Sequence, residues 1–519
     1  MTNRFNLADE PFIPVSGNKR FSLKEVFSVT EPCELALNPW YFIPVMRLLL
    51  CIGQAAVLLK TERDWQNLSF DAFRQAVLAY LDEHHDAFYL YGDKPFLQIR
   101  ALENAPDPQP LNAFSPVCAY GNNTVLRSPS LGEIPDDAAK ALLIIAITTH
   151  SMAGKRIDNS LILSRGYTGK LNAKGKPASG SVSPFLGAYG LLHCFYLGHS
   201  VAQSVWLNLV SEEMLAKPGH GFTEMGRPCW ELDLSGEDCP DARDMKETYL
   251  GRLVPMVRFC LLKEDDLIVC TDGIAHHGLG DHFHELSMIC REGKKGLEAL
   301  KVNPARKPWR DLDAFLSFVR STAQSNAGQY ACEQLTFCYS HAKAAGFLNL
   351  WCGGIAVKYQ TGEQKISGNL DMLSSVFSLA EGSLIFNLEP CMVHFMELRE
   401  KLELLSKRLF ACSKAYFDDL FPKKDGAVSR QSKNIPPAVS KGTELFWQRL
   451  DLLSEDILRL CFEPGTNPEA QEEKLLKAVN AVLYRTYDEI CPSSTARSLI
   501  VNQKHRPAGL KSLAKNLKE

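Results

Sequence analysis

The feature that most constrains this chain is a spacing. Leu398, Leu402, Leu405, Leu409, Cys412, Tyr416 and Leu420 recur three or four residues apart, which lines one face of a long α-helix and demands a surface to cover it. Beyond residue 372 the helical period persists. A polar linker, PKKDGAVSRQSKNIPPAVSKG, leads to ELFWQRLDLLSEDILRLCF and then to EEKLLKAVNAVLYRTYDEI. The pattern predicts an antiparallel four-helix bundle over residues 373–519. A chain of 519 residues exceeds what one core ordinarily accommodates, so residues 1–372 form a separate mixed domain and the fold class is α+β.

In that first part, Pro44 and VMRLLLCIGQAAVLLK predict a helix with proline in its first turn. DAFRQAVLAYLDEHHDAF is an amphipathic helix, and DDAAKALLIIAITTHSM a buried one headed by Pro135 and Asp136. FNLADEPFIPV, at residues 5–15, reads as an edge strand or hairpin broken by an acidic turn. FYLYGDKPFLQI places two strand-like runs around Gly92-Asp93, a hairpin signal. LLHCFYLG, VAQSVWLNLV, LVPMVRFCLL and DLIVCTDGI read as strands. The N-terminus has no apolar export segment, the apolar run Val45 to Leu59 is too short to span a bilayer, and the 16 cysteines form no C-x-x-C pair. Together these predict reduced, mostly buried thiols in a cytoplasmic protein with no membrane partner.

Charge decides where chemistry is sought. A net charge of −3 with 23% charged residues gives no global mark of a nucleic-acid binder, so a local patch has to carry any such role. Residues 154–187 form a long glycine-, serine- and lysine-rich loop in which Lys155, Arg156, Arg165, Lys170, Lys174 and Lys176 face a single acid, Asp158. A second basic stretch runs from Arg291 to Arg310. Such a loop can follow a phosphate backbone through counterion release, or serve only as solvated surface. In WCGGIAVKYQTGEQK, glycines 353–354 end an apolar run and introduce a turn carrying Lys358, Tyr359, Gln360 and Gln364. This is either an ordinary hairpin or a projecting tip suited to insertion between bases.

Cys270, His276, His277, His282, His284 and Cys290 are zinc-ligand types, but neither H-E-x-x-H nor C-x-x-C spacing is present. A polar loop between strands explains them better. GYTGK fails as a phosphate loop because Leu171 stands where serine or threonine should follow the lysine, and no G-x-S-x-G elbow occurs. Nothing in the sequence compels an enzyme.

Several of these segments, taken in order, resemble the CasA family, the large subunit of the type I-E CRISPR Cascade complex. FNLADEPFIPV is similar to the family's N-terminal signature, MRLLLCIGQAA to its first helix, and FYLYGDKPFLQI to its aromatic Pro-Phe segment. VWLNLV, Gly226-Arg227-Pro228-Cys229-Trp230, CREGKKG with PARKPWRDLDAFL, and LFWQRLD continue the match. The resemblance implies a non-catalytic subunit at one end of an RNA-guided complex. Its partners would be the other Cascade subunits, the crRNA 5′ handle, double-stranded target DNA and a helicase–nuclease. It would read the motif flanking the target and wedge the duplex open, so that guide pairing starts an R-loop.

By position, the resemblance assigns motif reading to Arg291, Lys294 and Lys295, and groove contact to the six cations of loop 154–187. It gives the wedge to the turn of Lys358 and Tyr359, with Gln360 first and Gln364 second, and the guide handle to Asn122 and Asn123. No cofactor is implied. The family's cysteine-bearing metal element is not reproduced, which leaves zinc at the histidine-rich segment unproven. Two alternatives stand: a metal-dependent hydrolase built on His276–His284, and a scaffold subunit that never reads DNA.

Overall fold

The computed structural model describes residues 3–106, 108–115, 136–150, 190–222, 224–237, 239–279, 283–319, 329–360, 363–366, 371–421, 437–463, 465 and 467–513. Helices and small antiparallel sheets alternate along the chain. The chain divides into two compact units. One comprises Met1–Pro304, Ala314–Phe318 and Ala323–Ser378; the other comprises Ala305–Asp313, Val319–Thr322 and Leu379–Glu519.

The first unit is organised on an apolar helix, Pro39–Ala56, nearly all of it buried. It starts at Pro39, five residues before the predicted start, because Asn38 caps it and Pro39 occupies the first turn, leaving Pro44 inside the helix. By length and composition it could cross a membrane, but it is 83% buried as a core helix. Phe70–Glu83 and Asp137–Thr149 pack on it. Asp136 caps the latter, accepting the Ala139 N–H at 2.7 Å.

Three strand expectations fail, each for an identifiable reason. FYLYGDKPFLQI is not a hairpin: Tyr89–Tyr91 pairs instead with Arg4–Asn6. The Gln98 side chain donates to Leu90 O at 2.8 Å and accepts from Leu262 N–H at 2.8 Å, supplying through an amide the bonds a second strand would make. VAQSVWLNLV is largely a helix, Val201–Leu207, because Ser200 caps it by accepting the Gln203 N–H; so short an apolar run fits either period. Gly353 and Gly354 do not end a strand but lie inside one, Phe347–Ile355, opposite His193 and Leu192. A Cβ on Gly354 would fall 2.2 Å from Leu191 O, and one on Gly353 2.5 Å from Leu373 O. Both glycines are there for close backbone approach. The opening FNLADEPFIPV is split between two ladders, since Ile13–Val15 pairs with Lys19–Phe21. The two expected strands Arg258–Leu262 and Leu267–Asp272 are present and pair antiparallel.

The second unit contains the helices Glu389–Leu420, Pro437–Asp451, Ser454–Phe462, Pro468–Ile490 and Ala496–Lys504. In the first of these, Leu398, Leu402, Leu405, Leu409 and Tyr416 are buried as the spacing required, while Ser413 rather than Cys412 is the buried residue in the turn between. The segment Ala305–Asp313 belongs to this unit. Arg310 pairs with Asp451 at 2.6 Å, the Trp309 indole donates to the same carboxylate at 2.8 Å, and Arg399 reaches Asp313.

Candidate nucleic-acid interface

The strand Leu192–Leu197 supports the site. One edge pairs with Phe347–Ile355. The other holds both ends of a hairpin, Ile289–Gly293 with Gly296–Ala299. Cys194 N–H donates to Ser287 O at 2.9 Å, Leu192 N–H donates to Leu300 O at 3.1 Å, and His193 bridges to Met288. Phe347–Ile355 runs on through Ala356 and Val357 into a second hairpin, Lys358–Gln360 with Glu363–Lys365. Its root is apolar: Ile355 and Ile366 pack with Trp40 and Ala146, and Tyr41, Val357 and Met372 lie against them.

The residues that bound segment 151–189 reach the same root. His150 stacks on Trp40 with ring centroids 4.3 Å apart, and its Nε2–H donates to Trp40 O at 3.0 Å. Burial pushes its pKa down to about 4, so the ring is neutral at pH 7. At the far end Gly190 takes φ +64°; a Cβ there would press on Ile355 O at 3.0 Å and Val357 N at 3.1 Å. Gly190 O also accepts from Val302 N–H at 2.8 Å, beside the first hairpin. The cations Lys155, Arg156, Arg165, Lys170, Lys174 and Lys176 lie outside the described residues, as do Asn122 and Asn123.

At the tip of the first hairpin, Gly293 pairs with Gly296 across Lys294-Lys295, and both lysines are exposed. Arg291 is placed differently. Its Nε and Nη2 donate to Glu298 at 3.0 and 2.7 Å, and its guanidinium lies 4.5 Å from the Tyr330 ring centroid. The hydrogen bonds to Glu298 raise its pKa further. Farther along the basic stretch, Arg306 pairs with Asp311 and Arg310 with Asp451, so these two charges are internally neutralised. In the second hairpin Lys358 sits at the base, 3.1 Å from the buried Asp371. The backbone pairs Tyr359 with Gln364, and Gln360 with Glu363 in the last paired position.

The first hairpin is held from beneath by three buried charges. Arg47 from the core helix and Arg252 from helix Tyr249–Leu253 both bind Glu285, at 2.8 and 2.7 Å, and each of the three side chains is 2% exposed. Burial alone would raise the Glu285 pKa, but the Arg252 and Arg47 guanidiniums bring it down to about 2. Glu285 lies four residues before Ile289, so the triad ties the core helix to the hairpin's entry strand.

The histidine-rich segment is dispersed. His276 Nε2–H donates to Pro255 O, His277 meets Glu247 at 3.0 Å and His284 meets Glu333 at 3.2 Å. Cys270 and Cys290 are buried elsewhere, and His282 lies outside the described residues. Among the described residues no three His, Cys, Asp or Glu side chains are grouped to hold a metal ion. The hydrolase alternative therefore has no geometric basis among them.

Sequence reasoning missed Glu298, Tyr330, Glu285 and the His150–Trp40 stack. For Glu298 a signal existed: in REGKKGLE, Arg291 and Glu298 are equidistant from the lysine turn and so face each other across it.

One sheet thus carries two hairpins and sits beside both bounds of the segment 151–189. Residues 6–488 match the family described as CRISPR-associated protein Cse1, and the chain belongs to that family. No curated protein matches the chain. The fold is shared with CasA of Thermus thermophilus, at TM-score 0.67 and 18% identity over 97% of this chain and 98% of that one. Cse1 of Thermobifida fusca is similar at TM-score 0.73 and 17% identity over 97% of each chain. A chain in a CRISPR RNA-guided surveillance complex is similar at TM-score 0.66 and 18% identity, over 97% of this chain and 98% of that one.

Proposed function

We propose that this protein is the non-catalytic large subunit of a type I-E CRISPR RNA-guided surveillance complex, acting in the cytoplasm without a cofactor. It reads the motif flanking a target in double-stranded DNA and begins to open the duplex, then presents the complex to a helicase–nuclease. The observation that carries this reading is a shared mount: one hairpin is bonded to the strand Leu192–Leu197, the other continues its neighbour Phe347–Ile355, and both bounds of the basic segment pack at the root of that second hairpin. Lys294 and Lys295 enter the minor groove, whose degenerate acceptors suit a lysine that tolerates several motifs. The cations of 154–187 neutralise phosphates. Gln360 stacks beneath the first base pair, with Gln364 in its place if the register shifts by one pair, and Asn122 and Asn123 hold the guide handle. The helices beyond residue 378 act as an antiparallel bundle that docks neighbouring subunits.

The test is R-loop formation by the reconstituted complex, with and without this subunit, on targets carrying a library of flanking motifs. Opening should depend on the subunit and on the motif. Gln360→Ala should slow opening at least tenfold, on the order of the cost of losing a stacking group, while initial duplex binding stays within a factor of about three. Equal losses in both steps would sink the wedge assignment, and opening indifferent to the subunit would sink the whole reading.

A further inference from the structure

We propose that Arg291, Glu298 and Tyr330 form a strut that fixes the orientation of the Lys294-Lys295 tip, and thereby set how selectively the tip discriminates flanking motifs without themselves touching nucleic acid. The inference rests on the reading of this hairpin as a motif reader and adds residues that act through the lysines. They are positioning residues.

Four observations converge. Arg291 sits directly opposite Glu298 in the ladder and donates two hydrogen bonds to one carboxylate oxygen. Its other contact is the face of Tyr330. Tyr330 immediately precedes Ala331–Cys332, the short strand that pairs with Ile289 and Cys290 on the hairpin's outer edge. The arginine thus ties the tip-side half of a two-stranded ribbon to its third strand, and a lone ribbon is only marginally rigid. Third, Gly293 has no side chain where one would collide: a Cβ there would lie 2.5 Å from Glu298 Cδ. The carboxylate crosses the bare backbone one residue before Lys294. Fourth, neither lysine engages a carboxylate among the described residues, so the tip's cations stay available while the arginine behind them is paired with Glu298.

The sign of Glu298 carries the argument. A carboxylate near a tip that binds a polyanion lowers attraction, and a single exposed ion pair adds little to stability. Two charge-assisted hydrogen bonds and a stacked guanidinium do impose direction. An anion kept where it opposes affinity fits a device for discrimination.

The assay compares equilibrium binding of cognate and non-cognate flanking duplexes by the assembled complex, across a salt series. Glu298→Gln, close to isosteric, should strengthen binding to non-cognate duplex, because an anion is gone, while the cognate to non-cognate ratio falls about tenfold. Arg291→Lys keeps the charge and should lose the same ratio with the salt slope unchanged. Gly293→Ala, which displaces the Glu298 carboxylate with no change in charge, should follow. The strut is overturned if Glu298→Gln leaves the ratio unchanged, or if Arg291→Lys weakens both duplexes equally, as a direct phosphate contact would. Replacing Lys294 and Lys295 by glutamate separates the two levels. If that leaves both affinity and ratio intact, the motif-reader assignment itself fails; if it abolishes discrimination while Glu298→Gln does not, only the strut fails.

Discussion

Glu285→Gln removes the single anion shared by two buried guanidiniums. The carboxyl sits at about 2 in the folded protein against an ordinary 4.5. At about 1.4 kcal/mol per pH unit, that gap corresponds to about 3 kcal/mol of stability at pH 7. This falls at the lower end of the roughly 3–5 kcal/mol lost when one partner of a buried ion pair is removed. Glutamine still offers a carbonyl to Arg47 and Arg252, and both arginines keep backbone acceptors at Leu253 O and His277 O, so the lower end is the expected one. Because the folded pKa is depressed, the stabilisation is complete above pH 4.5 and drains away as pH falls through 2. Urea unfolding at pH 7 should therefore separate parent and variant by about 3 kcal/mol, with convergence below pH 4.5. Amide hydrogens of residues 286–290 should exchange faster in the variant, since Glu285 anchors the hairpin's entry. A variant within about 1 kcal/mol of the parent at pH 7, or one whose deficit persists unchanged to pH 2, would refute the reasoning.

Other outcomes follow from the same geometry. Replacing Lys294 and Lys295 by alanine should reduce the salt dependence of duplex binding by about one unit of slope for each lysine that meets a phosphate, read from affinity against salt concentration. Gly354→Ala places a Cβ 2.2 Å from Leu191 O; forcing the strands apart should cost about 1–3 kcal/mol, seen as a lowered melting temperature. His150→Phe keeps the stack on Trp40 but removes a proton site. The His150 pKa is about 4 in the fold against 6.5 ordinarily, so the unfolded chain takes up the proton first. The parent should lose stability as pH falls from 6.5 through 4, and the variant should lose less in that window.

What the sequence made legible is what depends on neighbours along the chain. The leucine spacing of 398–409 reports a buried helix face because helix geometry is local. The Lys358–Lys365 hairpin and the strands around Cys260 and Cys270 were legible for the same reason. The failures have a different cause. VAQSVWLNLV needed its Ser200 cap to be weighed against a short apolar run. The second half of FYLYGDKPFLQI is shaped by Gln98, whose partner Leu262 lies 164 residues away. Gly353 and Gly354 read as punctuation, whereas their cause is the carbonyls of Leu191 and Leu373. At the site, Lys294 and Lys295 were visible only as part of a basic stretch; that they form a tip, and that Tyr330 and Glu285 aim and anchor it, is given meaning only by tertiary contact.

The segment Ala305–Asp313 has a consequence for how the protein is made. It precedes every helix of the unit it joins, so the ribosome releases Trp309 and Arg310 well before Asp451 exists to receive them. At roughly 5–20 residues per second the wait is on the order of ten seconds. During that interval an indole and several cations are exposed on a nascent chain, beside the RNA of the ribosome itself. The same topology sets a rule for dissection: a fragment beginning at residue 379 would be born without its arm, leaving the Asp451 carboxylate with no guanidinium. Only a fragment supplied with 305–313 in trans would restore that pairing.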